Sequence, residues 1–555
     1  MKFKYIIFLI LITIPLLVST AYAFSAPSIK LTAPVSYNGI LGSKNNPYLI
    51  NSTSDYNSLI NTYKDNSNVY LKLNTDITET QTTPLARFEF NGNLDGNNKT
   101  ITFLNTSLYT SIGGTISNLN FVLESQSSFE ATSGMLCNDL KGKLINCTNN
   151  STLNANLSSS TTALGGFAGT NSENAEIINC TNNANINIST LFGIRVGGFL
   201  GQTDNTLSIK NCVNNGNITI NSTGTQASSV SIYAGGFVGY ASFKATSSNS
   251  DTYHFEKLKN SGAITLTAKS TSTYCRAGGI CGGITNNTIT TIDQCLSEGA
   301  ISATNATSNS NYGNQLGGIL GYVHGNSNNF AKITLSNSYA TCSINSTTTS
   351  KSTSIIGGLI GYTYTKNTDN MCVDVNILNC YSTATISTTE QTSDTIIHVG
   401  GLIGKSAKTI ITNTFSNALI NSYSNSTKYL GGLVGSYFNN ISPAVQISVS
   451  NSISNTDFNY NLSSIKYVAG FVGYLEGNSS NIDSQILNST YKTSNLESSF
   501  SSSCCSLAIG NTTSSLTSCG FENANETIKN KNSSFYQNWD FENIWTFNEL
   551  PVIEF

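Results

Sequence analysis

A glycine pair followed by two apolar residues and a further glycine recurs along the chain, and it limits the fold more than any other feature. It reads Gly165-Gly166-Phe167-Ala168-Gly169, then Gly197-Gly198-Phe199-Leu200-Gly201, then Gly235-Gly236-Phe237-Val238-Gly239. Further copies start at Gly278, Gly317, Gly357, Gly400 and Gly431. A ninth reads Ala469-Gly470-Phe471-Val472-Gly473, and Leu507-Ala508-Ile509-Gly510 is a worn tenth. Steps run from 31 residues (Gly400 to Gly431) to 43 (Gly357 to Gly400), the period of a repeat array. Between the copies an apolar residue is answered by another nine positions on, as in Ile177 and Ile186, Ile209 and Ile218, Ile292 and Ile301, or Ile377 and Ile386. With Asn, Gly and Ser as filler, that interval reads as two short strands around a bend.

Each repeat thus offers three strand-like pieces: an Asn-Cys strand, a strand after the bend, and the glycine-pair strand. One such unit cannot bury its own apolar side chains, so stacking must supply the core. The expected fold is all-β: a right-handed parallel β-helix of about ten or eleven coils with N- and C-terminal caps, about 50 Å long at ~4.8 Å per rung. A β-propeller needs four strands per blade and a steadier period.

The columns carry more detail. The first position of the Asn-Cys strand is apolar in every copy and is assigned to the core, while the second accepts Lys210, Glu256, Asp293 and Ser336 and is assigned to solvent. The third is usually Asn (Asn146, Asn179, Asn211, Asn337, Asn379, Asn413, Asn451, Asn488), suited to an amide ladder. At the fourth, Cys147, Cys180, Cys212, Cys295 and Cys380 alternate with Leu258, Ser338, Thr414, Ser452 and Ser489, which suggests a small buried slot. Strict alternation would turn that fourth side chain outward, so a bend at Asn must turn it back. Stacked parallel Cβ vectors align poorly for a disulfide, which favours free thiols in the column. Cys504 and Cys505 fall outside it. The glycine pairs are read as tight corners. A phosphate loop would open a helix, and no amphipathic helix follows them.

These motifs resemble proteins built from GLUG-motif repeats, whose glycine-pair element alternates with Asn-Cys-type strands. The resemblance spans roughly residues 140 to 520. It extends to a leading segment with Asn46-Pro47-Tyr48-Leu49-Ile50 and Leu94-Asp95-Gly96-Asn97, and to a closing segment from Trp539 through Trp545 to Pro551. It implies a β-helical surface or secreted protein, often bacterial and often adhesive. The repeat also accompanies immunoglobulin A peptidases, whose zinc domain carries a His-Glu-x-x-His element that this sequence lacks. The expected organisation is a signal peptide at 1–23, a cap and first rungs at 24–135, repeat coils at 136–520 and a closing cap at 521–555.

Lys2 and Lys4, an apolar run from Tyr5 to Val18 and Ala21-Tyr22-Ala23 describe an export signal cut after Ala23. The run is too short to span a bilayer, so no transmembrane segment is expected in the mature chain, which would be secreted or held at the extracellular surface. Charged residues make up 10% and the net charge is −3, against about 25% charged in ordinary domains. No basic stripe suggests nucleic acid. No cofactor motif is visible, and His254, His324 and His398 stand at no metal-ligand spacing. Acidic residues are sparse, with no pair repeated on neighbouring coils; Asp95 suits turn chemistry and Asp76 a strand end. No catalytic residue is assigned. The functional expectation is a non-catalytic adhesin or structural protein binding glycan or a host or matrix protein. Its candidate binding residues are Tyr240, Tyr322, Tyr362 and Tyr474, which follow their glycine motifs at one shared position, and the Ser/Thr-rich loops at 270–275, 302–314, 346–354 and 388–395. The alternative is a β-helical polysaccharide lyase or hydrolase, with carboxylates converging across rungs.

Overall fold

The computed structural model describes residues 40–126, 132–157, 163–224, 230–242, 251–269, 273–285, 288–307, 313–325, 331–365, 373–393, 395–439, 447–461, 465–477, 485–492, 505–507, 529–532, 536–548 and 550–553. The signal-peptide segment, Cys504 and the worn copy at 508–510 lie outside the described residues. A first unit, Met1–Pro47, contributes a short turn bridged between Ser43 and Asn46; the second, Tyr48–Phe555, holds everything else.

That second unit is a parallel β-helix. In one coil, Ala175–Ile178 belongs to wall A, Thr181–Asn182 to wall B, Asn185–Thr190 to wall C, Ile194–Gly197 to wall D and Leu200–Thr203 to wall E. The next coil repeats the course. Pairing is parallel and in register, so Ile177, Ile209, Phe255 and Ile292 form one column on wall A, as their shared interval predicts. Wall A has fourteen strands: ten from the repeats, Lys143–Ile145 to Gln485–Leu487, and four from the leading segment, Tyr48–Ile50 to Thr115–Ser117. The apolar faces meet in a single core, in which Phe167, Phe199 and Phe237 stack with ring centroids 4.8 Å apart.

The three predicted pieces are five in the structure, because two of them break at fixed points. The Asn-Cys piece breaks at its Asn, which adopts the left-handed region (φ 54° at Asn146, 55° at Asn179, 53° at Asn211). Asn tolerates that conformation better than other non-glycine residues. The kink resets the alternation and sends the following Cys inward, where Cys147, Cys180 and Cys212 are buried. On the outside, the Asn146 amide donates to Asn118 (2.9 Å) and the Asn179 amide to Asn146 (3.1 Å), the expected ladder. A second, buried ladder was not foreseen. Asn149 donates to Asn182, Asn182 to Asn214 and Asn214 to Asn260, at 3.0, 2.8 and 2.8 Å.

The Cys slot is a hydrogen-bonding site as well as a small apolar one. The Cys180 sulfur accepts the Cys147 backbone N–H (3.3 Å), and the Cys180 thiol donates to the carbonyl of Ile178 (3.3 Å). Serine does the same where it substitutes: Ser338 Oγ accepts from Cys295 N–H (2.9 Å) and donates to the Ser336 carbonyl (2.6 Å). The interchange of Cys with Ser follows from that shared pair of bonds. The nine described cysteines whose side chains are placed are free and buried.

The glycine-pair piece breaks at the corner between walls D and E. A Cβ at Gly198 would lie 2.2 Å from the Gly236 carbonyl oxygen and 2.4 Å from Asn214 Oδ1. Successive coils approach too closely there for any side chain.

At the leading end sits a helix, Thr53–Tyr63, that the all-β expectation omitted. Ser52 Oγ accepts the Asp55 N–H (3.0 Å) as its N-cap. Tyr56 and Ile60 enter the core, and the Tyr56 hydroxyl donates to that of Tyr109 (2.8 Å). The closing segment also departs from expectation. Its described residues do not lie across the end of the stack. Instead Trp545–Asn548 and Leu550–Ile553 pair as a hairpin against wall B, packing Tyr536, Trp539, Trp545 and Ile553 on Tyr381, Phe415 and Ile453.

A polar seam crosses the core where wall C turns into wall D. Ser346 Oγ lies 2.9 Å from Asn314 Nδ2 and 3.1 Å from Ser354 Oγ, and Ser424 Oγ donates to Glu390 Oε2 (2.6 Å). Lys428 is fully buried and donates to the Ser424 carbonyl. Burial raises the Glu390 carboxyl to about 7, against the opposing pull of the Ser424 hydroxyl and the Lys428 charge. An acid whose folded pKa exceeds its unfolded value (4.5 here) contributes stability below the unfolded pKa and loses it as pH rises through the folded one. Unfolding free energy is therefore expected to be higher at pH 5 than at pH 8, by on the order of 2 kcal/mol from this group. Urea melts of the protein and of Glu390→Gln check this. The variant should lose the difference, and an identical pH dependence would refute the assignment.

Candidate functional site

Walls D and E meet at a concave corner because the glycine pair lets the backbone turn with no side chain in the way. Outward residues on either side of the pair therefore face one another across a groove that runs along the stack. On wall E the line includes Tyr240, Tyr322 and Tyr362, in register through Gly283. Lys405 follows Tyr362, and Ser436 follows Lys405. The predicted tyrosines do share a line. Tyr474 lies farther along it, with its ring 4.7 Å from those of both Tyr429 and Tyr467.

The opposite line, two residues before each glycine pair, did not emerge from the sequence reading. Arg195 pairs with Tyr233, Tyr233 with Arg276 and Arg276 with Gln315; Ile355, His398 and Tyr429 continue it. The residue types vary too much to register as a repeat. Their shared offset from the glycine pair was the available signal.

The two lines interlock. The rings of Tyr233 and Tyr240 are 4.5 Å apart, and the Arg195 guanidinium lies 4.6 Å from the Tyr240 ring centre. The Tyr240 hydroxyl is 2.7 Å from Thr285 Oγ1, and burial raises its pKa. Arg276 lies 3.9 Å from the Tyr322 ring centre and 4.2 Å from that of Tyr274. His398 stacks on Tyr429 at 4.8 Å, with Nδ1 2.7 Å from Ser436 Oγ. Burial first, and the Lys405 charge second, hold its pKa well below the usual histidine value, so the ring is neutral at physiological pH. His324 joins the same surface, between Tyr322 and Tyr364 at 6.0 and 5.2 Å. Between Arg276 and Lys405 the groove encloses a cavity of about 590 Å³ lined by tyrosines, Gln315, Thr353, Ile355 and His398. Several ring faces are taken up by neighbours, so the lining offers phenol hydroxyls, ring edges and cationic donors. Tyr362 and Tyr364 remain half-buried.

The candidate loops contribute less surface than expected. Of their described residues, Asn314, Ser346, Ser354, Thr388 and Thr395 are buried and belong to the interior seam; 270–272, 308–312 and 394 lie outside the described residues. Among the described residues no group of His, Cys, Asp or Glu could hold a metal ion, and no helix is long and apolar enough to cross a membrane.

Comparison with known proteins gives limited but specific results. No curated protein matches the sequence. Among solved structures, one provisionally described as an immunoglobulin A1 protease from Bacteroides ovatus aligns at 19% identity, covering 63% of this chain and 79% of that one, with a TM-score of 0.29. The family model of the GLUG motif matches residues 160–187, the span that closes the first glycine corner and opens the next Asn-Cys strand. The chain is a parallel β-helix that carries the GLUG motif.

Proposed function

We propose that this is an exported, non-catalytic β-helical protein that holds a glycan of a host or matrix surface in the groove between walls D and E. The observation that carries the reading is the doubled line of aromatic and cationic side chains across the glycine corner, continued from rung to rung. An extended groove with regularly spaced tyrosine hydroxyls and cations suits an extended polar chain better than a compact ligand. The GLUG repeat and the signal-like leader support an extracellular setting.

A glycan array with the purified protein tests it. Tyr362→Ala and Tyr364→Ala together are expected to weaken binding by about tenfold or more while leaving the circular dichroism unchanged. Unaltered binding by the double variant would move the site elsewhere. Silence across the array, with cell fractionation placing the protein in the cytoplasm, would end the proposal. Release of shortened oligosaccharides by the purified protein would replace it with the polysaccharide-cleaving alternative.

A further inference from the structure

We infer that the stretch of the groove from Arg276 to Lys405 selects anionic polysaccharide, seating its carboxylate or sulfate groups on the Arg276 guanidinium. The inference rests on the glycan reading above and goes beyond it by naming the charge of the ligand.

Arg276 is 6% exposed, yet every printed partner is neutral. Its Nε donates to Gln315 Oε1 (2.6 Å), and its Nη1 donates to Ser231 Oγ (3.3 Å) and to the Tyr233 hydroxyl. Aromatic faces enclose it. Among the described residues no carboxylate pairs with it, and its Nη2 has no hydrogen-bond partner. A charge withdrawn from water normally takes a counter-charge. Elsewhere this chain follows the rule: Arg87, also part-buried, holds Glu79 through both terminal nitrogens at 3.0 and 2.7 Å. Arg276 instead has its orientation fixed by neutral groups while its charge is left over, the arrangement of a site awaiting an anion.

The surroundings agree. None of the residues lining the cavity is acidic, and Lys405 supplies a second cation. Register places Lys405 three rungs beyond Arg276, through Gln315, Ile355 and His398 on the facing wall, about 14 Å at ~4.8 Å per rung. A polyanion laid along the axis would meet cations at that interval, with tyrosine hydroxyls between them. The bidentate fork of a guanidinium suits carboxylate and sulfate equally, so the test must separate the two sources.

Titration calorimetry would compare an oligogalacturonate, its methyl ester and a sulfated galactan oligomer. At least one anionic oligomer is expected to bind roughly 10- to 100-fold more tightly than the ester, and added salt should weaken it. Preference for the uronate or the sulfated chain identifies the source. Lys405→Gln, at a half-buried position, should weaken anionic binding without disturbing the fold, and Arg276→Gln should abolish it. Equal affinity for the ester and the acid, still sensitive to Tyr362→Ala, would overturn the inference while leaving the glycan reading intact. Binding of neutral glycans alone would do the same. Failure of every glycan, neutral or anionic, would sink both.

Discussion

Gly358→Val is expected to destabilise the solenoid by about 3 kcal/mol or more, one of the two largest effects of a single substitution anticipated here. A Cβ at this position would lie 2.1 Å from the Gly401 carbonyl oxygen and 2.2 Å from Ser382 Oγ. The carbonyl is backbone in the next coil, whose position is tied by the ladder on both sides of the corner, so it cannot retreat without breaking register. The damage should be local first, since coils in a stacked array depend mainly on their neighbours. Hydrogen exchange should therefore accelerate in strands Thr353–Gly357 and Ile360–Thr365 and in the coils flanking them. Asn345→Ala, at an exposed position of wall C in the preceding strand, serves as the control and should stay within about 0.5 kcal/mol. An unfolding midpoint for Gly358→Val matching that of the control would show that the corner has slack the geometry denies.

Trp545→Ala should cost about 3–5 kcal/mol of the energy that holds the closing hairpin to wall B. Trp545 is 2% exposed, with its ring 4.3 Å from that of Trp539 and 6.2 Å from that of Tyr381. Outward positions along wall B explain why the hairpin docks where it does. They begin polar at Thr148 and Thr181, turn apolar at Leu296, Tyr339, Tyr381, Phe415 and Ile453, and end at Thr490. The Trp539 indole N–H also donates to the Asn451 carbonyl (3.0 Å), fixing the segment along the wall. Release of the hairpin would expose that apolar strip. Dye binding and proteolytic clipping within 529–553 should both rise in the variant, while far-ultraviolet dichroism of the coils persists. Unchanged protease resistance would mean that the aromatic cluster contributes little.

The architecture was legible because its signals repeat. The nine-residue interval put Ile177 and Ile186 on different walls of one coil, and the recurring glycine pair marked a corner where backbone meets backbone. The inward turn of Cys180 was anticipated only as a requirement, since alternation alone predicts the opposite; the left-handed Asn179 meets it. Features that occur once were lost. The helix at Thr53–Tyr63 had a cap at Ser52 and apolar residues at Tyr56, Ile60 and Tyr63, but its single amphipathic turn pattern was submerged among strand-like segments. The tyrosine line of the groove could be read from a constant offset after the glycine pair. Its partner line could not be read from residue type, because Arg276, Gln315, Ile355 and His398 share a place and no chemistry. The docking of the C-terminal hairpin was written in the change from Thr181 to Phe415, yet only the folded chain shows which segment answers it.

The corner glycines have a further consequence for how such a molecule can change over generations. Because the groove is produced anew by each turn of the backbone, duplicating one unit by recombination would extend the track by one increment without redesigning its walls. Two substitutions per added unit, one before and one after the glycine pair, would then suffice to alter what that increment grips. Ligand length and ligand preference can drift independently, in the manner of a ruler whose marks are recut one at a time.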